Sequence, residues 1–209
     1  MLRVLIADDH PIFREGIKRL IQDEYKSAIV EEAESGQEAL EKALAGHWDI
    51  VVLDLHFTDD SGLEVLKKVR ALRKTLPVIM LSASPEEHYA VRALKAGADA
   101  YLTKTLAPSQ LIKAIEIVRS GEKYVCHVTA RHLITDANRE TTSSHQLLSD
   151  REMEVLCLFS SGKSLKEIGS ILTISEKTVS TYRSRILTKL HLRTTMDLVK
   201  YAIDHKIAE

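Results

Sequence analysis

The chain has 209 residues, a length that suggests one or two domains. Hydrophobic residues make up 44% of it and charged residues 28%, which is typical of a soluble globular protein. The formal net charge of -1 indicates no class of partner, and no apolar run is long enough to predict a membrane-spanning helix.

The cysteines and the N-terminus indicate the compartment. Cys126 and Cys157 match no metal-binding or redox spacing, and two such thiols suit a reducing environment. The acidic residues Asp8 and Asp9 come too early for a secretory signal peptide. We therefore expect a cytoplasmic protein.

Residues 1–122 form the predicted first domain, in which five strands alternate with five helices. Short apolar runs rich in β-branched residues alternate with segments whose apolar residues recur at helical spacing. This alternation predicts a parallel sheet with right-handed crossovers and helices on both faces. The predicted strands are 3–7, 28–34, 50–53, 78–81 and 98–102. The predicted helices are 11–23, 37–45, 62–72 with Ser61 as its cap, 84–96 and 108–120.

Polar side chains stand at the ends of four of these strands, namely Asp8, Asp9, Asp54, Ser82 and Lys104. Because the carboxyl ends of parallel strands meet at one edge of a sheet, these side chains should converge there. Crowded carboxylates need a cation, and hard oxygen ligands suit Mg²⁺. A carboxylate such as Asp54 can also act as a nucleophile and form an aspartyl-phosphate, whose charge Mg²⁺ and Lys104 would neutralise. The Ser82 hydroxyl can donate to a phosphoryl oxygen.

Four motifs therefore occur in order: Asp8-Asp9, Asp54 with Gly62 eight positions later, Ser82-Ala83, and residues 101–104. Together they resemble the receiver domain of two-component response regulators over residues 2–121. The resemblance implies a flavodoxin-like α/β fold with strand order 2-1-3-4-5. It also implies that Asp54 accepts phosphate from a histidine kinase while Lys104 contacts the phosphoryl group.

The same resemblance implies a metal site and a switch. Asp9, Asp54 and the backbone carbonyl of His56 would bind Mg²⁺, with Asp8 contributing through water. Ser82 and Tyr101 would be the switch pair that senses the phosphoryl group. The side chains of His10 and His56 are interpreted as neighbours of this site and not as metal ligands.

Two positions depart from the receiver pattern. Phe57-Thr58 stands where the family often has Met-Pro, and Thr105 stands where a proline often follows the lysine. Neither change removes a functional group, so we expect an effect on kinetics rather than on the chemistry.

Each feature alone has an ordinary structural explanation. Asp8-Asp9 can cap a helix, Lys104 can be solvated, Ser82 can satisfy backbone groups, and Tyr101 can belong to the core. Their occurrence together in one order favours the phosphoacceptor interpretation.

Residues 123–146 form the predicted linker. Within it, residues 136–146 are polar and offer almost nothing to bury, which predicts a flexible segment.

Residues 147–209 form the predicted second domain, an all-α unit of four helices. Ser149 with Glu152, and Ser164 with Glu167, have the spacing of capping boxes. Ser175 begins a third helix that runs to about Leu190, and a fourth spans 195–203. A short turn between the second and third helices predicts a helix-turn-helix.

The third helix carries the charge signal of this domain. Residues 176–193 contain five basic residues and one acidic residue, a weak indication of a polyanionic partner. Val179, Ile186, Leu187 and Leu190 form its apolar face. A helix of about 20 Å with basic and hydroxyl side chains outward fits a DNA major groove, whereas an ordinary solvated surface helix is the alternative.

The motifs at 148–152, 155–156, 166–169 and 175–190 resemble the LuxR-type helix-turn-helix of NarL/FixJ-class response regulators. The resemblance implies that 178–189 is the recognition helix and that 195–203 mediates dimerisation on DNA. We predict that Ser180, Thr181 and Ser184 face bases, with Arg183 as a further candidate. Lys177, Tyr182, Arg185 and Lys189 are the predicted phosphate contacts, and Thr178 belongs to the same DNA-binding set.

The leading hypothesis is a phosphorylation-controlled, DNA-binding transcriptional regulator that is not an enzyme. Its expected partners are a sensor histidine kinase, promoter DNA, a second copy of itself when active and, as a further candidate, RNA polymerase. A Mg²⁺-dependent phosphatase with Asp54 as nucleophile is one alternative, although His56 stands where such an enzyme would need a second carboxylate. A DNA-binding protein whose first domain serves only for dimerisation is the other.

Overall fold

A computed structural model describes residues 1–57, 61–83, 87–125, 147–172, 174–205 and 207. The chain divides into two compact units, Met1–Asp136 and Ala137–Glu209. Most of the predicted linker lies outside the described residues, as do Cys126, Thr58 and the predicted cap Ser84. The exact domain boundaries therefore stay predictions.

The first unit is a parallel sheet of five strands in the order β2-β1-β3-β4-β5. This order and the receiver fold confirm the prediction. The strands are β1 Arg3–Ala7, β2 Ile29–Ala33, β3 Ile50–Asp54, β4 Val78–Ser82 and β5 Ala100–Thr103. The helices are α1 Pro11–Glu24, α2 Gly36–Ala45, α3 Gly62–Leu72, α4 Glu87–Lys95 and α5 Ala107–Arg119.

The alternation of side chains along the strands explains the layers. Val4 and Ile6 of β1 join one apolar cluster with Ile17 of α1 and Leu111 of α5. Leu5 is equally buried but lies outside that cluster, because successive residues of a strand point to opposite faces. The central strands β3 and β4 are buried along their whole length, as strands covered on both faces should be.

Two local predictions for this unit were inexact. β5 begins at Ala100 and not at Ala98, because the Ala98 N–H donates to the Ala93 carbonyl and closes the end of α4. Gly97 permits that turn with φ at 103°. Ser61 holds the N-cap position of α3, but its side chain does not accept the capping hydrogen bond.

The second unit contains four helices within the described residues: α6 Asp150–Ser160, α7 Leu165–Ile171, α8 Glu176–Lys189 and α9 Thr195–Asp204. The capping boxes predicted at Ser149 and Ser164 are both present. A third, between Thr194 and Asp197, escaped prediction because an Asp takes the position where the motif usually has Glu or Gln. Leu156, Ile168, Val179, Ile186 and Leu198 are fully buried and form the centre of this unit.

Gly169 makes the tight connection between α7 and α8 possible. A Cβ at this position would lie 2.8 Å from the Ile174 carbonyl oxygen, closer than real Cβ contacts come. The Ile174 N–H in turn donates to the Gly169 carbonyl at 2.9 Å. Together these contacts hold the turn of the helix-turn-helix. In the described part of the chain, no helix is long and apolar enough to cross a bilayer.

Candidate functional site

Backbone hydrogen bonds bring the carboxyl ends of four strands to one edge of the sheet. The Leu55 N–H donates to the Leu81 carbonyl at 2.7 Å, which aligns the ends of β3 and β4. The Lys104 N–H donates to the Ser82 carbonyl at 2.6 Å, which aligns β4 with β5. Asp8 directly follows β1, which pairs with β3 along its length. The parallel register thus explains why residues distant in sequence meet here.

The acidic residues predicted for this edge do converge. Asp8, Asp9, His10 and Asp54 each offer one ligand atom, and these atoms lie within 4.8 Å of one another. Asp8 and Asp54 are each 1% exposed. The His10 Nδ1 atom lies 3.0 Å from Asp8 Oδ1 and 2.7 Å from Asp9 Oδ1, so this histidine contacts both aspartates. The cluster can hold a metal ion.

Lys104 lies between two of the carboxylates. Its Nζ atom is 2.7 Å from Asp54 Oδ2 and 2.7 Å from Asp8 Oδ2. It also lies 4.9 Å from the centre of the Phe13 ring, within the range of a cation–π contact. Burial alone would lower the pKa of Lys104, but attraction to Asp54 and Asp8 outweighs it and raises the pKa. The ammonium therefore stays charged.

The pKa of Asp54 is raised above its ordinary value. Burial, and secondarily the charge of Asp8, raise its pKa from 3.8 to about 6, although Lys104 and a hydrogen bond from the His56 N–H oppose this rise. Its Oδ1 atom is buried and has no hydrogen-bond donor among the described residues. A buried carboxylate oxygen without a hydrogen-bond donor destabilises the fold unless a ligand interacts with it. Three carboxylates and one ammonium also leave negative charge that a divalent cation would neutralise, so the donor set fits Mg²⁺.

Gly62 sets the position of the Asp54 backbone. A Cβ on Gly62 would lie 1.9 Å from the Asp54 carbonyl oxygen and 2.9 Å from the Leu55 Cα. The Gly62 N–H donates to the Leu55 carbonyl at 2.8 Å. Any side chain at this position would therefore push α3 away from the end of β3.

The predicted switch residues occupy neighbouring strands. Ser82 ends β4 and is fully buried, and Tyr101 lies in β5 opposite Met80 with 4% exposure.

The His56 ring makes an edge-to-face contact with Tyr89 of α4, with 5.7 Å between ring centres. Sequence reasoning did not identify Tyr89, which pattern alone assigns to the helix core.

Arg14 is a second residue that the sequence analysis missed. It is 4% exposed and donates to the Asp8 carbonyl at 2.7 Å. The available signal was its position, because Arg14 shares a helical face with the buried residues Ile17 and Ile21. A charged residue at an inward-facing position predicts a buried partner.

In the second unit, α8 carries all nine predicted DNA-binding residues, of which four are exposed and five are half-buried. Val179 and Ile186 are fully buried, whereas the predicted inward Leu187 is only half-buried. The exposed members of the set are Lys177, Thr181, Ser184 and Arg185. The half-buried members are Thr178, Ser180, Tyr182, Arg183 and Lys189.

Several of these side chains already have partners inside the unit. The hydroxyls of Thr181 and Ser184 donate to the carbonyls four residues earlier, at 2.9 and 3.0 Å. Lys189 Nζ lies 2.6 Å from Glu152 Oε2 and donates to the Leu147 carbonyl at 3.2 Å. Any contact of Lys189 with a phosphate would compete with its pairing to the buried Glu152 carboxylate.

Two family models match this chain. Residues 4–116 match the response regulator receiver domain, and residues 146–202 match the bacterial regulatory proteins of the luxR family. The chain belongs to the LuxR-type response regulators. It is therefore a DNA-binding regulator of transcription and not a phosphatase. Its receiver domain implies a phosphodonor kinase, and its second domain implies promoter DNA.

Similar proteins span the whole chain. Response regulator UvrY of Escherichia coli strain K12 is 31% identical over 98% of this chain and 95% of its own length. Response regulator GacA of Pseudomonas viridiflava is 31% identical over 100% of this chain and 99% of its own. A solved structure of RcsB from Salmonella enterica serovar Typhimurium, bound to promoter rprA with the phosphomimetic BeF3-, is 25% identical with a TM-score of 0.58. It covers 96% of this chain and 98% of that one.

Proposed function

We propose that Asp54 is the phosphoacceptor through which a sensor histidine kinase controls DNA binding by this regulator. The observation that carries the proposal is the buried pair of Asp54 and Lys104, whose charged atoms are 2.7 Å apart at the edge where the acidic cluster lies. In the transfer, an Asp54 carboxylate oxygen bonds to phosphorus as the bond from phosphorus to the donor's imidazole nitrogen breaks. That imidazole leaves with the electron pair.

Asp9, Asp54 and the His56 carbonyl would hold Mg²⁺, with Asp8 contributing through water. When bound, the ion would neutralise charge on the phosphoryl oxygens. The donor-free Oδ1 atom of Asp54 supports this assignment, because it is a buried ligand atom that no described residue satisfies. Lys104 would turn from Asp54 to the new phosphoryl group, and Ser82 and Tyr101 would sense that group.

The DNA contacts are proposed for the outer side of α8. Its exposed basic residues would bind phosphates, and its small hydroxyl side chains would approach base edges. The active form would be a homodimer, which two exposed apolar residues of α9 support: Met196 is 78% exposed and Ile203 is 59% exposed. They are seven residues apart and so share a face of the helix. This set of roles is that of a cytoplasmic protein.

A DNA-binding titration tests the proposal. Random-sequence selection would supply the DNA, and the full-length protein would be titrated at fixed salt with Mg²⁺, with and without acetyl phosphate. The donor should tighten binding by the wild type and leave Asp54→Ala unchanged. Asp23→Ala removes a carboxylate whose side chain is 82% exposed in the same unit, and it should respond like the wild type.

Equal DNA affinity with and without the donor in the wild type would contradict the proposal. In that case the receiver domain would serve for dimerisation rather than as a phosphate-controlled gate.

A further inference from the structure

Arg14 places a buried guanidinium beside the acidic cluster. It lies in the first turns of α1 and reaches three acceptors on other parts of the unit. Nη1 donates to the Asp8 carbonyl at 2.7 Å. Nε donates to Glu32 Oε2 at 3.1 Å, and Nη2 donates to Glu34 Oε1 at 2.6 Å. One side chain therefore ties the loop after β1 to β2 and the residues that follow it.

The carbonyl that Arg14 holds belongs to the peptide group that joins Asp8 to Asp9. β1 ends at Ala7, so this carbonyl lies beyond the strand. The peptide group is planar, so rotating it about the bond between the Asp8 Cα and its carbonyl carbon would move the Cα of Asp9 and the carboxylate attached to it. Fixing the Asp8 carbonyl consequently fixes the direction from which Asp9 enters the cluster.

The contribution of Arg14 is geometric rather than electrostatic. Its positive charge is already paired with Glu32 and Glu34. Lys18 also pairs with Glu32 at 2.8 Å. The hydrogen bond from Lys18, and secondarily that from Arg14, lower the pKa of Glu32, although burial opposes them. This carboxylate therefore stays ionised and continues to accept the hydrogen bond from Arg14. With its charge balanced locally, Arg14 adds little positive field to the cation site.

We infer that Arg14 is a positioning residue, which holds the Asp8–Asp9 peptide in the orientation that the acidic cluster needs to bind a divalent cation. The inference rests on the proposed function, because it takes Asp9 and Asp54 as the cation ligands. It adds Arg14, which lies outside the cluster and is anchored on β2, to the residues that determine cation affinity.

The test compares Arg14→Met with a matched control in the full-length protein. Arg70 is also largely buried, donates to the Gly97 carbonyl at 2.6 Å and pairs with Asp99. Gly97 and Asp99 precede β5, so Arg70→Met removes a similar guanidinium at the opposite edge of the sheet. Mg²⁺ affinity would be measured by calorimetry, and the unfolding midpoint would be measured in parallel.

Both variants should unfold more easily than the wild type, but only Arg14→Met should lose cation affinity. The expected loss is about 10-fold to 100-fold, the usual range for groups that orient metal ligands from outside. Uptake of phosphate from acetyl phosphate by Arg14→Met should then recover as Mg²⁺ is raised, because the phosphoacceptor itself is intact.

Arg14→Lys keeps the test decisive if Arg14→Met does not fold. A single ammonium keeps the charge but cannot reach all three acceptors, so an intermediate loss of affinity is expected. Mg²⁺ affinity within about twofold of the wild type in the variant that folds would overturn the inference, as would an equal loss in Arg70→Met. A wild type that neither binds Mg²⁺ nor takes up phosphate would instead overturn the proposed function, and the inference with it.

Discussion

The two units of this protein handle charge in opposite ways. In the receiver unit, Asp8 and Asp54 are almost completely buried and share one ammonium, that of Lys104. In the DNA-binding unit, the basic residues Lys177 and Arg185 extend from α8 into solvent. Buried charges interact strongly because little solvent screens them, whereas exposed charges are weakened by water and salt. We therefore expect one substitution in the first unit to change the chemistry of its site. One substitution in the second unit should change DNA affinity only slightly.

Lys104→Met is the strongest test of this difference in the first unit. It leaves Asp8 and Asp54 facing each other without their shared cation, and it removes the group proposed to neutralise the phosphoryl charge. The rate of phosphorylation by acetyl phosphate should fall by about 100-fold or more, as when one electrostatic stabiliser is removed from an active site. Intact-mass measurement of the phosphorylated fraction over time would give the rate.

Lys67→Met is the control for the loss of a lysine. Lys67 pairs with Glu64 on the surface of α3, where both side chains are about half exposed. Its phosphorylation rate should equal that of the wild type, because exposed pairs contribute little. A fall of less than about threefold in Lys104→Met would show that the buried ion pair is structural and not catalytic.

Gly62→Ala tests whether backbone packing positions the phosphoacceptor. The added Cβ would meet the Asp54 carbonyl oxygen at 1.9 Å, and backbone atoms must move to relieve the clash. We expect the free energy of unfolding to fall by about 3 kcal/mol, the upper part of the range for overpacking. Urea unfolding followed by circular dichroism would measure it.

Gly16→Ala is the matched glycine substitution in the same unit. Gly16 lies inside α1, and a Cβ there would meet no atom within 4 Å. This variant should be more stable than the wild type by about 0.5–1 kcal/mol, because alanine favours the helix. If both alanine variants changed stability alike, the close approach of α3 to β3 would not be what requires glycine at position 62.

Most of the receiver site could be predicted because its residues are tied to strand ends. An apolar run indicates where a strand stops, and parallel topology then brings Asp8, Asp54 and Lys104 to one edge without knowledge of any side-chain contact. The capping boxes at Ser149 and Ser164 were predictable for a similar reason, since they depend on spacing of three residues alone.

The partners of long side chains could not be predicted in this way. Arg14 reaches Glu32 and Glu34 across two elements, and the ring of Tyr89 meets that of His56 from α4. No local period encodes such contacts, because they depend on how separate elements pack. The same limit applies to Lys189, which pairs with Glu152, 37 positions earlier in the sequence, and so links α8 to α6.

Asp54→Asn tests the cost of burying the phosphoacceptor charge. The folded-state pKa of Asp54, about 6, is above its ordinary value of 3.8, so folding favours the protonated form. The contribution of the Asp54 carboxyl group to the stability of the folded state is therefore fully present below pH 3.8 and is lost as the pH rises through 6. At pH 7 without divalent cations, the neutral asparagine should therefore raise the free energy of unfolding by about 1–3 kcal/mol.

The gain from Asp54→Asn should shrink as the pH falls toward 4, and Mg²⁺ should reduce it at pH 7 by stabilising the wild-type carboxylate. Urea unfolding at both pH values, with and without Mg²⁺, would measure these differences. A variant less stable than the wild type at pH 7 would mean that the pairs of Asp54 with Lys104 outweigh the cost of its burial.

Arg185→Ala should have the smallest effect, in the unit whose charges are exposed. Arg185 belongs to the outward side of α8 and stacks 6.0 Å from the ring of Tyr182, which leaves its guanidinium at the surface. If it contacts one DNA phosphate, its loss should weaken binding about tenfold and reduce the slope of log affinity against log salt by about 1. Lys26→Ala removes an equal charge from the receiver unit, where its side chain is 78% exposed, and should leave both quantities unchanged. An unchanged salt slope in Arg185→Ala would mean that DNA lies on another part of the helix surface.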